Sequence, residues 1–550
     1  MKWIEKPQNY SAHALSYYSS AFYVEPLTTK LLFSRGICNE DAFSKYAYPS
    51  ITDLHNPFLL NDMKKAVIRI IRALKNQEKI VIYGDYDVDG ITSATLLYKG
   101  LRFFNAEVTS LLPTRKDGYG ITINAIERME VSTPSLIITV DNGSNAHDAL
   151  RYAASKGIDV IVTDHHEING LYPMCYAFIN PKRYDNEYPN SSLAGAGVAF
   201  KLVQALFEAS DRHEWITHAW DFIELATLGT IADLMPLTGE NRVITKLGLS
   251  KMNANPSAHL RRLFQLLRLS AIDSSTLSFL IAPIFNSCGR IGDPNDALRA
   301  LINNEPQIDE FQRFIEQNNE RKRMTQECFQ LLDKSISIQG LNKHKVITVC
   351  GDYPEGLIGI LAAMISEKYH KPSIVITAAG KGSCRSVQNS NFSIANTISR
   401  CSQLLKAYGG HQAAAGLTVD INVLDQFTAE VQKSAELEPT IDPIKYFDGE
   451  IPLKKLSNEI FEDCSTLMEP FGIGNEKPIF RAQNVTADYI EYFGRQKQHA
   501  KLLLSGKHAL LFGRANLFKD NNNGMYDFLY SPNSYWQKNF IIEDIRMLEK

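Results

Sequence analysis

Lys79-Ile80-Val81-Ile82-Tyr83-Gly84-Asp85-Tyr86-Asp87-Val88-Asp89-Gly90-Ile91 is the stretch on which the reading of this chain turns. Its first five residues form a short β-type run. The aspartate- and glycine-rich middle reads as a loop, and residues 91–101 beyond it as a helix. A near-continuous apolar strand that feeds a helix is the unit of a parallel sheet covered on both faces. The unit recurs downstream. Leu136-Ile137-Ile138-Thr139-Val140 and Asp159-Val160-Ile161-Val162-Thr163 are further strands, with a helix at 146–156 between them. The fold class that follows is α/β.

The chemistry gathers at the strand ends. Asp85, Asp87 and Asp89 stand at alternate positions and repel one another strongly unless a cation separates them. In an extended segment, side chains at i and i+2 share a face. Hard oxygen donors of this kind suit Mg²⁺ or Mn²⁺, and the plain alternative is a solvated acidic loop. The second strand runs into Asp141-Asn142-Gly143 and the third into Asp164-His165-His166. In a parallel sheet the carboxyl ends lie along one edge, where ligands bind. Asp233 adds a fourth piece, in the almost wholly apolar Ala226-Thr227-Leu228-Gly229-Thr230-Ile231-Ala232-Asp233-Leu234-Met235-Pro236. A buried carboxylate must be paired, hydrogen-bonded or metal-bound, and Arg242 is the competing partner. Together these groups make a site able to hold two divalent cations about 3.5–4 Å apart. The imidazole tilts the choice toward Mn²⁺. Such a pair activates water and stabilises charge on a phosphoryl oxygen, so hydrolysis of a phosphate ester or anhydride is the natural reaction. His166 is then free to bind the scissile phosphate or assist the leaving group.

Around this centre the chain is long and ordinary in composition. It has 550 residues, 44% hydrophobic and 22% charged, which excludes a disordered or repetitive chain and implies several domains. No apolar run approaches the roughly 18 residues of a membrane span. The start, Met1-Lys2-Trp3-Ile4-Glu5-Lys6-Pro7, lacks the apolar core of a secretory signal. Eight cysteines without a close pair speak against a disulfide framework or zinc knuckle and fit a reducing cytoplasm. A net charge of -3 excludes a uniformly basic coat for duplex DNA and leaves room for a local basic groove. Residues 1–60 read as a mostly helical N-terminal segment, and 61–305 as the catalytic domain, mainly helical after 193. Residues 306–338 read as one long connecting helix, apolar at Ile308, Phe311 and Ile315 and again at Cys328, Leu331, Leu332 and Ile336, with a polar middle. A smaller α/β domain covers 339–440, and a β-rich domain 441–550.

At these residues the chain resembles the DHH phosphoesterase superfamily, named for Asp164-His165-His166. Within it the likeness is to the RecJ family of bacterial single-stranded-DNA exonucleases. It runs from about residue 40 to the C-terminal domain. It includes Asp53-Leu54-His55-Asn56-Pro57, residues 84–90, Pro113-Thr114-Arg115, Gly118-Tyr119-Gly120, Thr139-Val140-Asp141-Asn142-Gly143, residues 228–236 and Asn286-Ser287-Cys288-Gly289-Arg290. The resemblance implies a parallel-sheet DHH domain and a smaller DHHA1 domain joined by the long helix, followed by an OB-like nucleic-acid-binding domain. It implies that Asp87, Asp89, Asp141, His165 and Asp233 hold two cations, Mn²⁺ or Mg²⁺, with Asp85 a further acidic position. His166 and Asp164 take the catalytic places, His166 near the scissile phosphate and Asp164 orienting the histidines.

Gly380-Lys381-Gly382-Ser383-Cys384-Arg385-Ser386 reads as a loop suited to phosphate, and Gly409-Gly410-His411 matches the family's Gly-Gly-His signature. By resemblance, Arg290, Ser383 and Arg385 hold a 5′-terminal phosphate. Arg115 and Tyr119 line the strand's path, and His411 is a further substrate contact. In the last domain Arg495, Lys497, His499 and Lys501 alternate beside Tyr489, Tyr492 and Phe493, as a guide for DNA. Two positions depart from the family pattern: Ile284 stands in place of an arginine, and Pro354 in place of a histidine.

The chemistry class follows from the residues; strand polarity and DNA preference follow from the resemblance alone. The expectation is a metal-dependent exonuclease that releases 5′-mononucleotides from single-stranded DNA in the 5′-to-3′ direction, in DNA repair and recombination. The implied setting is a cytoplasmic monomer without membrane association, beside a RecQ-type helicase and a single-strand-binding protein. The competing expectations are a DHH phosphoesterase for short RNA or small nucleotides, and a catalytically silent DNA-binding scaffold. The length and the third domain speak against the first, and the full set of acidic ligands against the second.

Overall fold

The computed structural model describes all residues except 1, 8–9, 119, 131–133, 211–214, 304, 306, 440–443, 495–496, 519–523, 534–538 and 549–550. The chain divides into two compact units. The larger comprises residues 5–286, 293–312 and 447–550, and the smaller 1–4, 287–292 and 313–446.

The larger unit is built on an all-parallel sheet. Its strand order is Val108–Leu111, Ile80–Tyr83, Leu136–Val140, Asp159–Thr163, Ala177–Ile179. The strands read from sequence occupy the middle, where both faces are covered and almost every side chain is buried. The two outer strands escaped notice for physical reasons. Val108–Leu111 carries Thr109 and Ser110 and is only partly buried, and Ala177–Ile179 is three residues long. From Ile80–Tyr83 the chain crosses to Val108–Leu111 on one side, then returns to Leu136–Val140 on the other. That reversal is a topological switch point, and a crevice opens there beyond the carboxyl ends. Helices Val88–Phe103, Gly195–Ala209, Trp215–Ala232 and Gly239–Ala254 pack together through buried Ile91, Leu96, Val198, Phe200, Ile223 and Leu228. Residues 193–305 are largely helical, as their composition predicts.

Two buried polar arrangements stitch this unit. Lys201, fully buried, bonds Glu240 at 2.8 Å and the His55 carbonyl; Glu240 also accepts from the His55 N–H and the Tyr188 hydroxyl. The Asp53-to-Pro57 motif is thus held by its backbone. Arg242 lies over the Tyr46 ring at 3.5 Å and donates to the carbonyls of Tyr46, Leu467, Met468 and Glu469.

Within the same unit, Phe480–Phe493, His499–Leu504, Lys507–Leu511, Asn539–Met547 and Met525–Asn533 form a sheet that closes because the first strand also pairs with the last. Closure removes exposed sheet edges and gives an OB-type barrel. Its core of Phe480, Leu502, Tyr526, Phe528 and Phe540 continues into Phe22, Leu31, Leu32 and Phe43 of the N-terminal helices. Those helices, Ala12–Phe22, Pro26–Phe33 and Glu40–Ala47, therefore share a core with the barrel.

The smaller unit carries a mixed sheet in the order Leu405–His411, Ala414–Val419, Lys381–Arg385, Ser373–Thr377, Ile347–Gly351. Only Ile347–Gly351 and Ser373–Thr377 are parallel, the expected βαβ unit around helix Ile358–Tyr369. Residues 380–386, expected as a loop, instead contain a strand, Lys381–Arg385, with Gly382 and Cys384 facing inward. Small inward residues hid the strand signal. In sequence, helix Ile308–Ile338 spans the predicted connector. All eight cysteines are free thiols; Cys38 and Cys350 are exposed, and Cys288, Cys384, Cys401 and Cys464 are buried. Among the described residues no helix is long and apolar enough to cross a membrane.

Candidate metal centre

The carboxyl ends of the three central strands deliver the aspartates to one place. Asp85 and Asp87 follow Ile80–Tyr83, and the Asp87 carboxylate caps helix Val88–Phe103 by accepting the Gly90 N–H at 3.1 Å. Asp89 sits in the first turn of that helix and meets the N-terminus of another. It accepts Gly195 N–H at 2.7 Å and Ala196 N–H at 2.8 Å, at the start of Gly195–Ala209. Asp141 has φ +62°, in the left-handed region that non-glycine residues seldom occupy, and its N–H donates to Thr163. Asn142 locks the same loop: its Nδ2 donates to the Tyr83 and Val140 carbonyls, and its Oδ1 accepts the Ile121 N–H. Asp233 closes the set, one residue past helix Trp215–Ala232.

Three overlapping groups result: Asp85, Asp87 and Asp141; Asp89, His165 and Asp233; Asp141, His165 and His166. In each, one ligand atom per residue lies within 4.8 Å of the others. The fit to a cation can be tested on hydrogen bonding. Asp85 Oδ1, Asp141 Oδ1, Asp233 Oδ2 and both ring nitrogens of His165 are buried and make no hydrogen bond. Orphaned polar atoms that converge this way are costly unless an ion satisfies them. Oxygens with one imidazole suit Mn²⁺ or Mg²⁺, so the residues present fit divalent cations.

The electrostatics agree. Burial first, then the Asp87 charge, raises the Asp85 carboxyl well above its ordinary value and Asp89 to about 7. Burial and the Asp89 charge raise Asp141 and bring Asp233 to about 8. Burial, helped by the neighbouring His166, pushes His165 down to about 3, leaving it neutral and able to ligate. Burial opposes charge on His166, but the Asp164 hydrogen bond outweighs it and raises that ring to about 9. Asp164 is also buried, yet bonds from His166 and Ser144 hold it below the usual carboxylate range.

Asp164 Oδ1 accepts from His166 Nδ1 at 2.8 Å and from the His165 and His166 backbone N–H groups. It therefore touches the His166 ring but only the backbone of His165, a narrower role than orienting both imidazoles. Arg242, the competing partner for Asp233, is occupied elsewhere by backbone carbonyls. Arg115 stacks on Tyr86 with its guanidinium 4.4 Å from the ring centre, beside the acidic loop. Tyr119 lies outside the described residues. A cavity of about 730 Å³ beside the centre is lined by Asp164, His166, Ser144, Asn145, His147 and Thr122, among others. Ile284 is buried in helix Ala282–Ile291.

In the smaller unit, Arg290 donates to the Gly356 carbonyl at 3.0 Å. A Cβ on Gly359 would lie 3.3 Å from Ser383 Oγ and 3.4 Å from Arg385 Nη2. The three residues thus gather at the first turn of Ile358–Tyr369, a natural anion position. His411 is exposed on the edge strand, two strands from Arg385 in the same cross-strand row through Ala414. In the barrel Arg495 lies outside the described residues. His499 faces Phe493 at 5.1 Å and Phe512 at 5.4 Å, and the Lys501 ammonium sits 6.0 Å over Phe493.

The sequence reading missed Tyr86, Asn142, Ser144, Asn180, Gly195 and Gly229. The two glycines had a signal, since glycine inside a helical pattern marks close approach. A Cβ on Gly195 would meet Asp141 Cβ at 2.6 Å, and one on Gly229 would meet Asp89 Oδ1 at 2.5 Å.

Comparison with known proteins agrees with this architecture. Family models match for the DHH family, N-terminal domain, at residues 79–230, the DHHA1 domain at 342–436 and the RecJ OB domain at 447–542. The chain is 31% identical over 526 residues to the single-stranded-DNA-specific exonuclease RecJ of Bacillus subtilis, covering 93% of this chain and 65% of that protein. It is 30% identical over 443 residues to RecJ of Escherichia coli, covering 75% of this chain and 74% of the relative. The structure of Thermus thermophilus RecJ in complex with Mn²⁺ superposes with a TM-score of 0.84 at 25% identity, over 100% of this chain and 80% of that one. A structure of exonuclease RecJ bound to manganese matches with a TM-score of 0.59 at 30% identity, over 69% of this chain and 96% of that one. With a DHH sheet, a DHHA1 sheet, an OB-type barrel and a cation-ready acidic centre, the chain belongs to the RecJ family.

Proposed function

We propose that this chain is a metal-dependent exonuclease that hydrolyses single-stranded DNA from its 5′ end and releases 5′-mononucleotides. The observation that carries the reading is the set of buried, unbonded carboxylate and imidazole atoms at the sheet's switch point. Asp85, Asp87, Asp89, Asp141, His165 and Asp233 would hold the cations, which activate water and offset charge developing on the phosphoryl group. The Asp164 carboxylate, bonded to His166 Nδ1, favours the protonated ring. That ring donates a hydrogen bond to the phosphate or a proton to the departing 3′ oxygen. Arg115 pairs with strand phosphates, while Arg290, Ser383 and Arg385 accept the 5′-terminal phosphate at a helix N-terminus. His411 and the aromatic and basic face around Phe493 and Lys501 contact the strand further on.

In this reading residues 61–305 carry the chemistry, 306–338 connect, 339–440 hold the 5′ end and 441–550 follow the strand. We expect the protein to act as a monomer in the cytoplasm, beside a RecQ-type helicase and a single-strand-binding protein. The test is a digestion time course on 5′- and 3′-labelled oligonucleotides with Mn²⁺, Mg²⁺ or chelator. Labelled mononucleotide should leave the 5′ end first, with either cation and not with chelator. Attack from the 3′ end, equal digestion of blunt duplex, or a preference for dinucleotides over long strands would overturn it.

A further inference from the structure

We infer that Asn180 is a positioning residue for the reaction, fixing His166 and the Ser144 loop around Asp164. The inference rests on the reading of His166 given above and extends it to a residue that touches no reacting atom.

Asn180 directly follows strand Ala177–Ile179 and is 1% exposed. Its Nδ2 donates to the His166 carbonyl at 2.9 Å and to Ser144 Oγ at 2.9 Å. Its Oδ1 accepts the Lys182 N–H at 2.8 Å. The Ser144 N–H donates to Asp164 Oδ2 at 2.9 Å, and Asp164 Oδ1 accepts from His166 Nδ1 at 2.8 Å. The bonds close a ring that runs from Asn180 to Ser144, Asp164, His166 and back to Asn180. The orientation of the amide is fixed by its neighbours. A flipped amide would set its oxygen against the His166 carbonyl and its NH₂ against the Lys182 N–H.

The ring joins three strand ends through side chains at the centre itself, while Asn145, bonded to Glu167 and Asn169, ties two of them further out. Asp164 and His166 follow Asp159–Thr163, Ser144 follows Leu136–Val140, and Asn180 follows Ala177–Ile179. Asp164 orients the His166 ring, while Asn180 holds the backbone from which that ring projects. Reactive groups need placement within a fraction of an ångström, and partners that orient them typically matter by about 10–100-fold. Asn180 has no bond to Asp85, Asp87, Asp89, Asp141 or Asp233, so the effect should fall on turnover and spare cation affinity.

The experiment compares Asn180→Asp, which keeps size and the acceptor for Lys182 N–H but removes both donors, with the uncharged Asn180→Leu. Both are assayed on single-stranded oligonucleotide with Mn²⁺, with melting temperature and Mn²⁺ affinity as controls. We expect kcat to fall about 10–100-fold, with KM and Mn²⁺ affinity changed by less than about threefold. In a His166→Ala background the Asn180 replacements should cost nothing further, because their effect passes through that ring. Native-like variants with kcat within about threefold of the parent, or an undiminished further loss in the His166→Ala background, overturn the inference. If His166→Ala itself turns over at the parental rate, the underlying reading of His166 fails and takes the inference with it. Ser144→Ala, which removes one arm of the ring only, serves if neither Asn180 variant folds. It should lower kcat by a smaller factor, about three- to tenfold, and no change there overturns the proposal.

Discussion

Five carboxylates, those of Asp85, Asp87, Asp89, Asp141 and Asp233, crowd the crevice, and the raised pKa values among them follow from that crowding and from burial. Without a cation, Asp89 holds its proton to about pH 7 and Asp233 to about pH 8, against about 3.9 for an unfolded aspartate. A carboxyl whose folded pKa is raised stabilises the fold below its unfolded value, and that contribution is lost as pH rises through the folded one. His166, raised to about 9, acts in the same sense from about pH 6.5 upward. The chelated protein should therefore lose stability steadily between about pH 4 and 8, while a bound cation replaces the protons. Calorimetry should show the melting gap between manganese-loaded and chelated protein widening from roughly pH 6 to 8.5; a constant gap contradicts the electrostatics. Asp141→Asn should split function from stability. One negative charge fewer relieves repulsion, so the chelated variant should melt above the chelated parent. Its exonuclease rate should fall at least about 100-fold, and its melting response to Mn²⁺ should shrink.

At the scale of the element, the site depends on helices that start or pass close to the aspartates. Gly195→Ala would drive a methyl into Asp141 Cβ, which is backbone-anchored and cannot swing aside. We expect Mn²⁺ affinity to fall by about 10–100-fold, read by titration calorimetry, with circular dichroism unchanged. Much of this level was legible beforehand. The central strands at Ile80–Tyr83, Leu136–Val140 and Asp159–Thr163 announce themselves as buried apolar runs, and each ends in an acidic residue. The short strand Ala177–Ile179 does not, so Asn180 behind it had no reason to stand out. Asp164 shows a second limit. The family resemblance has it orienting the histidines, and only the folded turn shows through which atoms it bonds: the His166 ring and the backbone N–H groups of His165 and His166. Spacing along a chain places a residue near a centre; which atom it meets is decided by the loop's backbone.

Across the whole molecule, contacts distant in sequence hold the larger unit together. Arg242 joins the N-terminal helices, the helical layer and the segment before the barrel through four backbone carbonyls. Arg242→Met takes one donor from each carbonyl, leaving Leu467 and Glu469 with Lys246 and Met468 with Tyr46 and Asn475, and should lower stability by about 1–3 kcal/mol, read by urea unfolding. Mn²⁺ affinity should stay unchanged, because the guanidinium does not reach the cluster. The thiol distribution has a practical corollary. Cys38 lies in the larger unit and Cys350 in the smaller, and both are open to solvent while four of the remaining sulfurs are sealed inside. Maleimide dyes should favour that pair without engineered mutations. The native chain thus offers one fluorophore anchor on each body, from which energy transfer can follow the two when single-stranded DNA is added.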